Sequence, residues 1–211
     1  MKVGILGTGD VGRALGKGFI DLGHEVLMGA REANNPKALS FAKETHARAG
    51  TFADAAKFGE IVVLATLGVA NKSAIKLAGA DAFKGKIVLD TTNPLDTTGG
   101  APKLAVGTTD SGGEEVQRLL PHAKVVKVFN TVGNGLFYKP QLPGGPPDMF
   151  IAGEDPGAKK KVTELLKDFG WGTVDLGGIV ASRYLEAMCM AWVTYGFLTD
   201  TWTHAFKLLR K

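Results

Sequence analysis

The chain has 211 residues, of which 45% are hydrophobic and 22% charged, as in a globular protein with one large α/β domain or one domain and a small appendage. Its net charge of +4 is not gathered into lysine and arginine blocks, which argues against a nucleic-acid partner and suits an anionic small ligand. The single cysteine excludes an internal disulfide, and the four histidines have no metal-binding spacing, so we expect no metal site.

Neither a secretory signal nor a membrane span is evident in the sequence. The apolar N-terminal residues are too few before the first glycines to form a signal peptide. The longest apolar run, residues 187–198, is shorter than a membrane span. We therefore expect a cytoplasmic protein without a membrane partner.

A glycine-rich turn follows the first predicted strand. Residues 3–6 are apolar and predict a buried strand, and apolar residues recur at helical spacing over residues 11–22. The first glycine of a G-x-G-x-x-G turn permits a tight bend, the second admits a pyrophosphate, and the third lets the helix approach the sheet. The unpaired N–H groups of the helix then face the phosphates. The residues in this pattern are Gly7, Thr8, Gly9, Asp10, Val11 and Gly12.

The second strand, residues 25–29, indicates the type of dinucleotide. In NAD-binding proteins an acidic residue near the end of this strand bonds the ribose 2′-hydroxyl. Here the strand leads into Ala30 and Arg31, and a guanidinium suits a 2′-phosphate because its planar donors match phosphate oxygens. Lys37 follows in the next loop and adds a second cation. The pattern favours NADP over NAD, with a solvated surface arginine as the alternative.

Strands and helices alternate through the rest of the chain. This alternation predicts a Rossmann-type α/β fold, a doubly wound and mainly parallel sheet with right-handed crossovers. The polar, glycine-rich segment 96–113 has the composition of a mobile loop, suited to act as a lid. Helices are predicted over residues 36–49, 53–58, up to 80, 111–120 and 156–169, and strands over residues 51–52, 61–65, 87–89, 124–129, 149–152 and 173–176.

The ends of the later strands supply the candidate residues for the nicotinamide side. Ligands of open α/β sheets bind outside the carboxyl ends of the strands. The two asparagines there suit a carboxamide or a ring edge, with loop capping as the alternative. No serine nucleophile elbow, phosphate-binding G-K-[ST] or dedicated acid or base is evident, which leaves hydride transfer. The candidates are Thr66, Leu67, Asn93, Pro94, Asn130 and Thr131.

Residues 180–211 differ from the rest because the helix they predict has hardly any polar face. A helix that is apolar all round is expected to be buried all round. One side meets the chain itself, and the other meets a second subunit or a planar ligand; the alternative is a helix inside its own core. We therefore divide the chain into a dinucleotide-binding domain, 1–178, and a helical segment, 179–211, that completes the substrate cleft and forms a dimer interface.

The sequence resembles the NADPH-dependent reductases of the deazaflavin coenzyme F420. Four stretches carry the resemblance: MKVGILGTGDVG at 1–12, GAR at 29–31, VVKVFNTVG at 125–133 and ASRYLE at 181–186. It implies a homodimer, NADP(H) along the first two strands with Thr8 and Arg31 at the 2′-phosphate, and hydride exchange between nicotinamide C4 and deazaflavin C5. Two positions depart from the family. Ala30 replaces a hydroxyl residue that would bond the phosphate, and Asp10 brings a negative charge near the pyrophosphate.

Other functions remain open beside the deazaflavin hypothesis. An NADPH-dependent reductase of flavin, a metal chelate or another acceptor is one, and a non-catalytic NADP(H)-sensing module is another. Only an enzyme predicts turnover with a small-molecule redox substrate. The loops at the strand ends are rich in pocket-forming residues, which favours the enzyme.

Overall fold

The computed structural model describes residues 1–210. Ten strands occur in these residues: Lys2–Leu6 (β1), Glu25–Ala30 (β2), Arg48–Thr51 (β3), Ile61–Leu64 (β4), Ile87–Asp90 (β5), Leu95–Asp96 (β6), Lys103–Leu104 (β7), Lys124–Lys127 (β8), Asp148–Gly153 (β9) and Gly172–Asp175 (β10). Seven α-helices accompany them: Asp10–Asp21 (α1), Pro36–Thr45 (α2), Phe52–Phe58 (α3), Asn71–Ala78 (α4), Gly112–Leu119 (α5), Pro156–Asp168 (α6) and Ser182–Thr199 (α7).

Eight of the strands form one sheet in the order β10-β9-β8-β5-β4-β1-β2-β3. The six strands from β8 to β3 in this order are parallel, which confirms the Rossmann-type, mainly parallel fold. Strand β9 is the exception to the parallel direction, because it runs antiparallel to β8. A parallel neighbour needs a crossover, usually a helix, and no α-helix lies between β8 and β9.

Helices cover both faces of the sheet, as the apolar strands require. On one face, α1, α2 and α6 pack around Leu15, Phe19 and Phe41. On the other face, α3, α4 and α5 pack around residues that include Ile75 and Val116. The chain returns to the middle of the sheet between β3 and β4, so the strand order reverses at β1 and β4. A crevice opens at such a reversal, at the carboxyl ends of the strands.

Several element boundaries differ from the sequence prediction. The helix predicted over 36–49 ends at Thr45, because His46 adopts a left-handed conformation with φ of 59°. The residues that follow pair with β2 as strand β3. The strand predicted over 51–52 thus ends at Thr51, and Phe52 begins α3. The Thr51 side chain caps this helix by accepting from the backbone N–H of Asp54.

Backbone turns also shorten two later elements. The helix expected to reach residue 80 ends at Ala78, where Gly79 takes a positive φ of 82°. Strand β8 ends at Lys127, and Phe129 has a φ of 59°, which no extended strand allows. Part of the segment 96–113 is ordered by the antiparallel pairing of β6 with β7.

Helix α7 buries one face and exposes the other. Leu185, Cys189 and Trp192 are buried, whereas Tyr184 and Leu198 are 66% and 81% exposed. The alternative of a helix enclosed in its own core is thus wrong for this chain. Residues 200–210 follow without regular secondary structure and return to the start of β9. None of the helices described is long and apolar enough to cross a membrane.

A buried ion cluster joins α7 to the sheet. The ammonium of Lys127 on β8 lies 3.0 Å from Asp90 on β5 and 2.7 Å from Glu186 on α7, and none of the three side chains is more than 1% exposed. Burial by itself lowers the pKa of Lys127, but the two carboxylates outweigh it, so the pKa lies above its usual range. The lysine therefore stays charged throughout the neutral range.

Replacing this lysine should strongly destabilise the protein. Lys127→Met leaves two buried carboxylates facing each other, and we expect urea denaturation to give a free energy of unfolding lower by about 3–5 kcal/mol. Because the pKa of Lys127 is raised, its contribution is present at neutral pH and is lost as pH rises through that value. Lys124→Met is the matched control, since this lysine lies half exposed on the same strand. A loss at Lys127 as small as that at Lys124 would contradict the interpretation.

Candidate active site

The turn between β1 and α1 needs two of its three glycines for its own geometry. Gly7 has a φ of 133°, and a Cβ placed there would lie 2.2 Å from the carbonyl oxygen of Ala65. A Cβ on Gly12 would lie 2.3 Å from the carbonyl oxygen of Gly7. Gly9 is different, because its φ is −77° and a Cβ there would meet no atom within 4 Å. Nothing inside the chain requires glycine at position 9.

The first turn of α1 presents unpartnered N–H groups to an open cleft. Gly9 is the N-cap residue, and no side chain accepts a hydrogen bond from this helix end. A helix N-terminus of this kind attracts anions. Asp10 lies in the same turn and brings a negative charge beside the cleft.

The cleft has a volume of about 650 Å³ and lies at the carboxyl ends of β1, β2 and β4. It brings together nine of the residues predicted from the sequence: Gly7, Thr8, Gly9, Asp10, Val11, Arg31, Lys37, Thr66 and Leu67. It also contains Ala30, which the sequence analysis placed beside the phosphate, and residues that the analysis missed: Asn35, Phe52, Ala65, Ala70, Ser73, Ala74 and Asn134. Phe52 and Asn134 come from segments that no motif marks, and their place depends on the packing of α3 and of the loop after β8.

Two cations lie at the β2 end of the cleft. Arg31 and Lys37 are exposed, and neither side chain forms a salt bridge or hydrogen bond with any part of the chain from 1 to 210. The nearby Arg13, by contrast, is paired with Glu44 at 2.7 Å. Arg31 and Lys37 are therefore available to an anionic ligand.

The four candidates at the ends of β5 and β8 do not line this cleft. Thr131 and Pro94 are buried, and Asn93 and Asn130 bond each other. The Asn93 side-chain amide donates to the main-chain carbonyl of Asn130 at 2.8 Å, and the Asn130 side-chain amide donates to Asn93 Oδ1 and to the main-chain carbonyl of Leu185, each at 3.0 Å. These contacts join the ends of β5 and β8 to α7.

The single cysteine does not provide a nucleophile. Cys189 is buried on α7, and burial raises its pKa to about 11. It therefore remains a neutral thiol at physiological pH, and the thiolate is the reactive form. The site offers hydrogen bonds, cations and apolar surface.

Comparison with known proteins places this site in a family. Residues 2–94 match the family described as "NADP oxidoreductase coenzyme F420-dependent". A provisionally assigned F420-dependent NADP reductase from Arthrobacter sp. FB24 has a crystal structure that covers 100% of both chains, with 39% identity and a TM-score of 0.94. The F420-dependent NADP reductase of Methanothermobacter marburgensis is 29% identical over 88% of each chain.

A third relative extends the comparison to a larger protein. Metalloreductase STEAP3 of Rattus norvegicus is 30% identical over 191 residues, which are 89% of this chain. This chain spans only 36% of the length of that relative. The full-length likeness to the Arthrobacter structure, together with the family match, establishes that the chain belongs to the F420-dependent NADP oxidoreductase family and is an NADP-dependent oxidoreductase.

Proposed function

We propose that this oxidoreductase transfers a hydride between NADP(H) and the deazaflavin coenzyme F420. The assignment of NADP(H) rests on the surroundings of Gly9. The space where a Cβ would lie is open there, which leaves room for a pyrophosphate. The acceptor half is supported by the two relatives named as F420-dependent NADP reductases. When both substrates are bound, the hydride passes between nicotinamide C4 and deazaflavin C5.

The chain's own residues bind and orient the dinucleotide in this proposal. Gly9 and the first turn of α1 hold the pyrophosphate, while Thr8, Arg31 and Lys37 hold the 2′-phosphate. Because β4 lies on the opposite side of β1 from β2, the nicotinamide half extends past Thr66 towards β5 and β8. The residues at the ends of β5 and β8 then act by fixing the loops around this half.

Exposed apolar side chains near the proposed nicotinamide end suit a flat acceptor. Leu67 lines the cleft and is 76% exposed, and Val69 on the same loop is 59% exposed. Large apolar side chains that stay exposed beside a cleft mark a surface for a ligand or a partner. Alignment of two rings at short distance, with water excluded, is sufficient for hydride transfer without a dedicated acid or base.

A second copy of the chain is the proposed occupant of the exposed face of α7. No charged residue occurs between Glu186 and Asp200, and the exposed positions include Tyr184, Tyr195 and Leu198. Segment 179–211 would in this way complete the substrate cleft of domain 1–178 and form the interface of a homodimer. Light scattering should give a mass near twice that of one chain, and a monomer at all concentrations would reject this assignment.

Two glycine variants should separate ligand binding from folding. Gly9→Ala should change the free energy of unfolding by less than about 1 kcal/mol, because alanine tolerates this backbone and restricts the unfolded chain but is a poorer helix N-cap than glycine. Its methyl group should weaken NADPH binding about tenfold or more in a fluorescence titration. Gly12→Ala, the matched variant, should instead destabilise the fold by about 1–3 kcal/mol, since its Cβ meets backbone. Unchanged NADPH affinity in Gly9→Ala would reject the pyrophosphate assignment.

The choice of NADP over NAD should depend on Arg31. Arg31→Ala should weaken NADPH binding by about 1.5–3 kcal/mol, the range for hydrogen bonds to charged groups, and leave NADH binding nearly unchanged. Lys17→Ala provides the control, because it removes the same charge from an exposed position of α1 outside the cleft. Equal losses for NADPH and NADH would show that Arg31 does not contact the 2′-phosphate.

Anaerobic turnover tests the acceptor directly. NADPH, and NADH separately, would be offered with F420, with FMN and with a ferric chelate, the last because one relative is named a metalloreductase. Rapid, NADPH-specific bleaching of F420 is the expected result. Turnover with FMN or the chelate but not with F420 would show that F420 is not the acceptor. No turnover with any of the three would reject the proposal.

A further inference from the structure

A continuous line of buried hydrogen bonds connects the ion cluster to the cleft. The Thr66 hydroxyl lies 2.7 Å from Asn71 Oδ1, and the Asn71 amide nitrogen lies 2.7 Å from Thr92 Oγ1. Thr92 Oγ1 in turn lies 2.7 Å from Asp90 Oδ1, and Lys127 holds the other oxygen of Asp90. Asn71, Thr92 and Asp90 are at most 3% exposed, and only Thr66 reaches the cleft.

The direction of every bond in this line follows from the charge at its buried end. An ionised carboxylate only accepts, so Thr92 must donate its single hydroxyl proton to Asp90. Thr92 can then only accept from Asn71, which therefore turns its amide nitrogen to Thr92 and its carbonyl oxygen to Thr66. The Thr66 proton is committed to that oxygen. Towards the cleft, Thr66 is an acceptor.

A committed acceptor selects a different ligand group from a freely rotating hydroxyl. A free threonine hydroxyl donates to a phosphate or accepts from a hydroxyl, as the ligand requires. Thr66 with its proton committed disfavours phosphate oxygens and favours donors. In the proposed binding mode, Thr66 follows β4 and lies just beyond the pyrophosphate, next to the nicotinamide ribose. The hydroxyl groups of that ribose are donors.

We propose that Asn71, Thr92 and Asp90 are positioning residues that fix the Thr66 hydroxyl as an acceptor for a hydroxyl of the nicotinamide ribose of NADP(H). The inference rests on the proposed dinucleotide mode and is independent of which acceptor takes the hydride. It gives buried polar residues at the start of α4, at the end of β5 and in the loop after β5 a role in binding. They act through Thr66 and do not touch the ligand.

The test compares two ligands that differ only in the nicotinamide half. NADPH contains the nicotinamide ribose, whereas 2′,5′-ADP contains the adenosine, its 2′-phosphate and one further phosphate. Thr66→Val should weaken NADPH binding about three- to tenfold and leave 2′,5′-ADP binding within about twofold. Thr66→Ser, which retains the hydroxyl, should bind both ligands nearly as the unmodified protein does. Equal losses of both ligands in Thr66→Val would overturn the assignment.

A double-mutant cycle tests whether the line of hydrogen bonds from Asp90 through Thr92 and Asn71 to Thr66, called the relay below, acts on the ligand. Thr92→Val should weaken NADPH binding about two- to threefold with 2′,5′-ADP unaffected, because Thr66 keeps its hydroxyl but loses the fixed orientation. The double variant should bind NADPH no more weakly than Thr66→Val alone. Additive losses would show that Thr92 does not act through Thr66. Asn71→Ala breaks the line at a second place and should reproduce the pattern, which keeps the test open if Thr92→Val folds poorly.

These experiments distinguish a failure of the relay from a failure of the proposed function. Failure of the unmodified protein to bind NADPH would reject the proposed function, whereas NADPH binding with no effect of Thr66→Val would reject only the relay. Thermal unfolding of each variant gives the structural control. A purely structural role lowers the unfolding temperature without changing the ratio of the two affinities, and that result would also overturn the relay.

Discussion

The buried ammonium of Lys127 is the interaction on which the arrangement of the site depends. Removing a cation and two carboxylates from water costs several kcal/mol per ion, and this cost is offset only by close pairing and additional hydrogen bonds. Asp90 accepts such a bond from the Thr92 hydroxyl at 2.7 Å, and Glu186 accepts two from α5, whose first N–H groups, at Gly112 and Gly113, each donate to it at 3.0 Å. The positive end of α5 thereby offsets the second carboxylate. Four elements, β5, β8, α5 and α7, are fixed around one charge.

The start of α5 shows how this packing modifies a local rule. The spacing of Ser111 and Glu114 predicts a capping box, and Ser111 Oγ does accept from the Glu114 N–H at 3.2 Å. The Glu114 carboxylate, however, reaches Arg183 on α7 at 2.6 and 2.8 Å, and this guanidinium keeps the pKa of Glu114 below its usual range. A Cβ on Gly113 would lie 2.3 Å from Ser182 Oγ, so glycine there lets the two helices approach.

Features encoded within one continuous segment were predictable, and features that join distant segments were not. The glycine turn, the cation after β2 and most strands depend on neighbours in sequence, and the structure contains them as expected. Lys127 and Glu186 are 59 residues apart. A lysine inside an apolar strand indicates a buried charge, but the sequence does not indicate which carboxylates pair with it. The reversal of β9 and the mutual bonding of Asn93 and Asn130 likewise follow from tertiary packing, which spacing does not encode.

The residues around the cleft are less favourable for the stability of the fold than other residues at the same positions would be. Four other helices begin with side-chain caps, at Asn35, Thr51, Ser111 and Asp155. Helix α1 has Gly9 as its N-cap, although a serine or aspartate there would stabilise the helix by about a few tenths of a kcal/mol more. A turn built only for its own packing would keep Gly7 and Gly12 and place a cap at position 9. Because the unfilled cap, the unpaired Arg31 and the exposed Leu67 converge on one cleft, ligand binding explains them better than folding does.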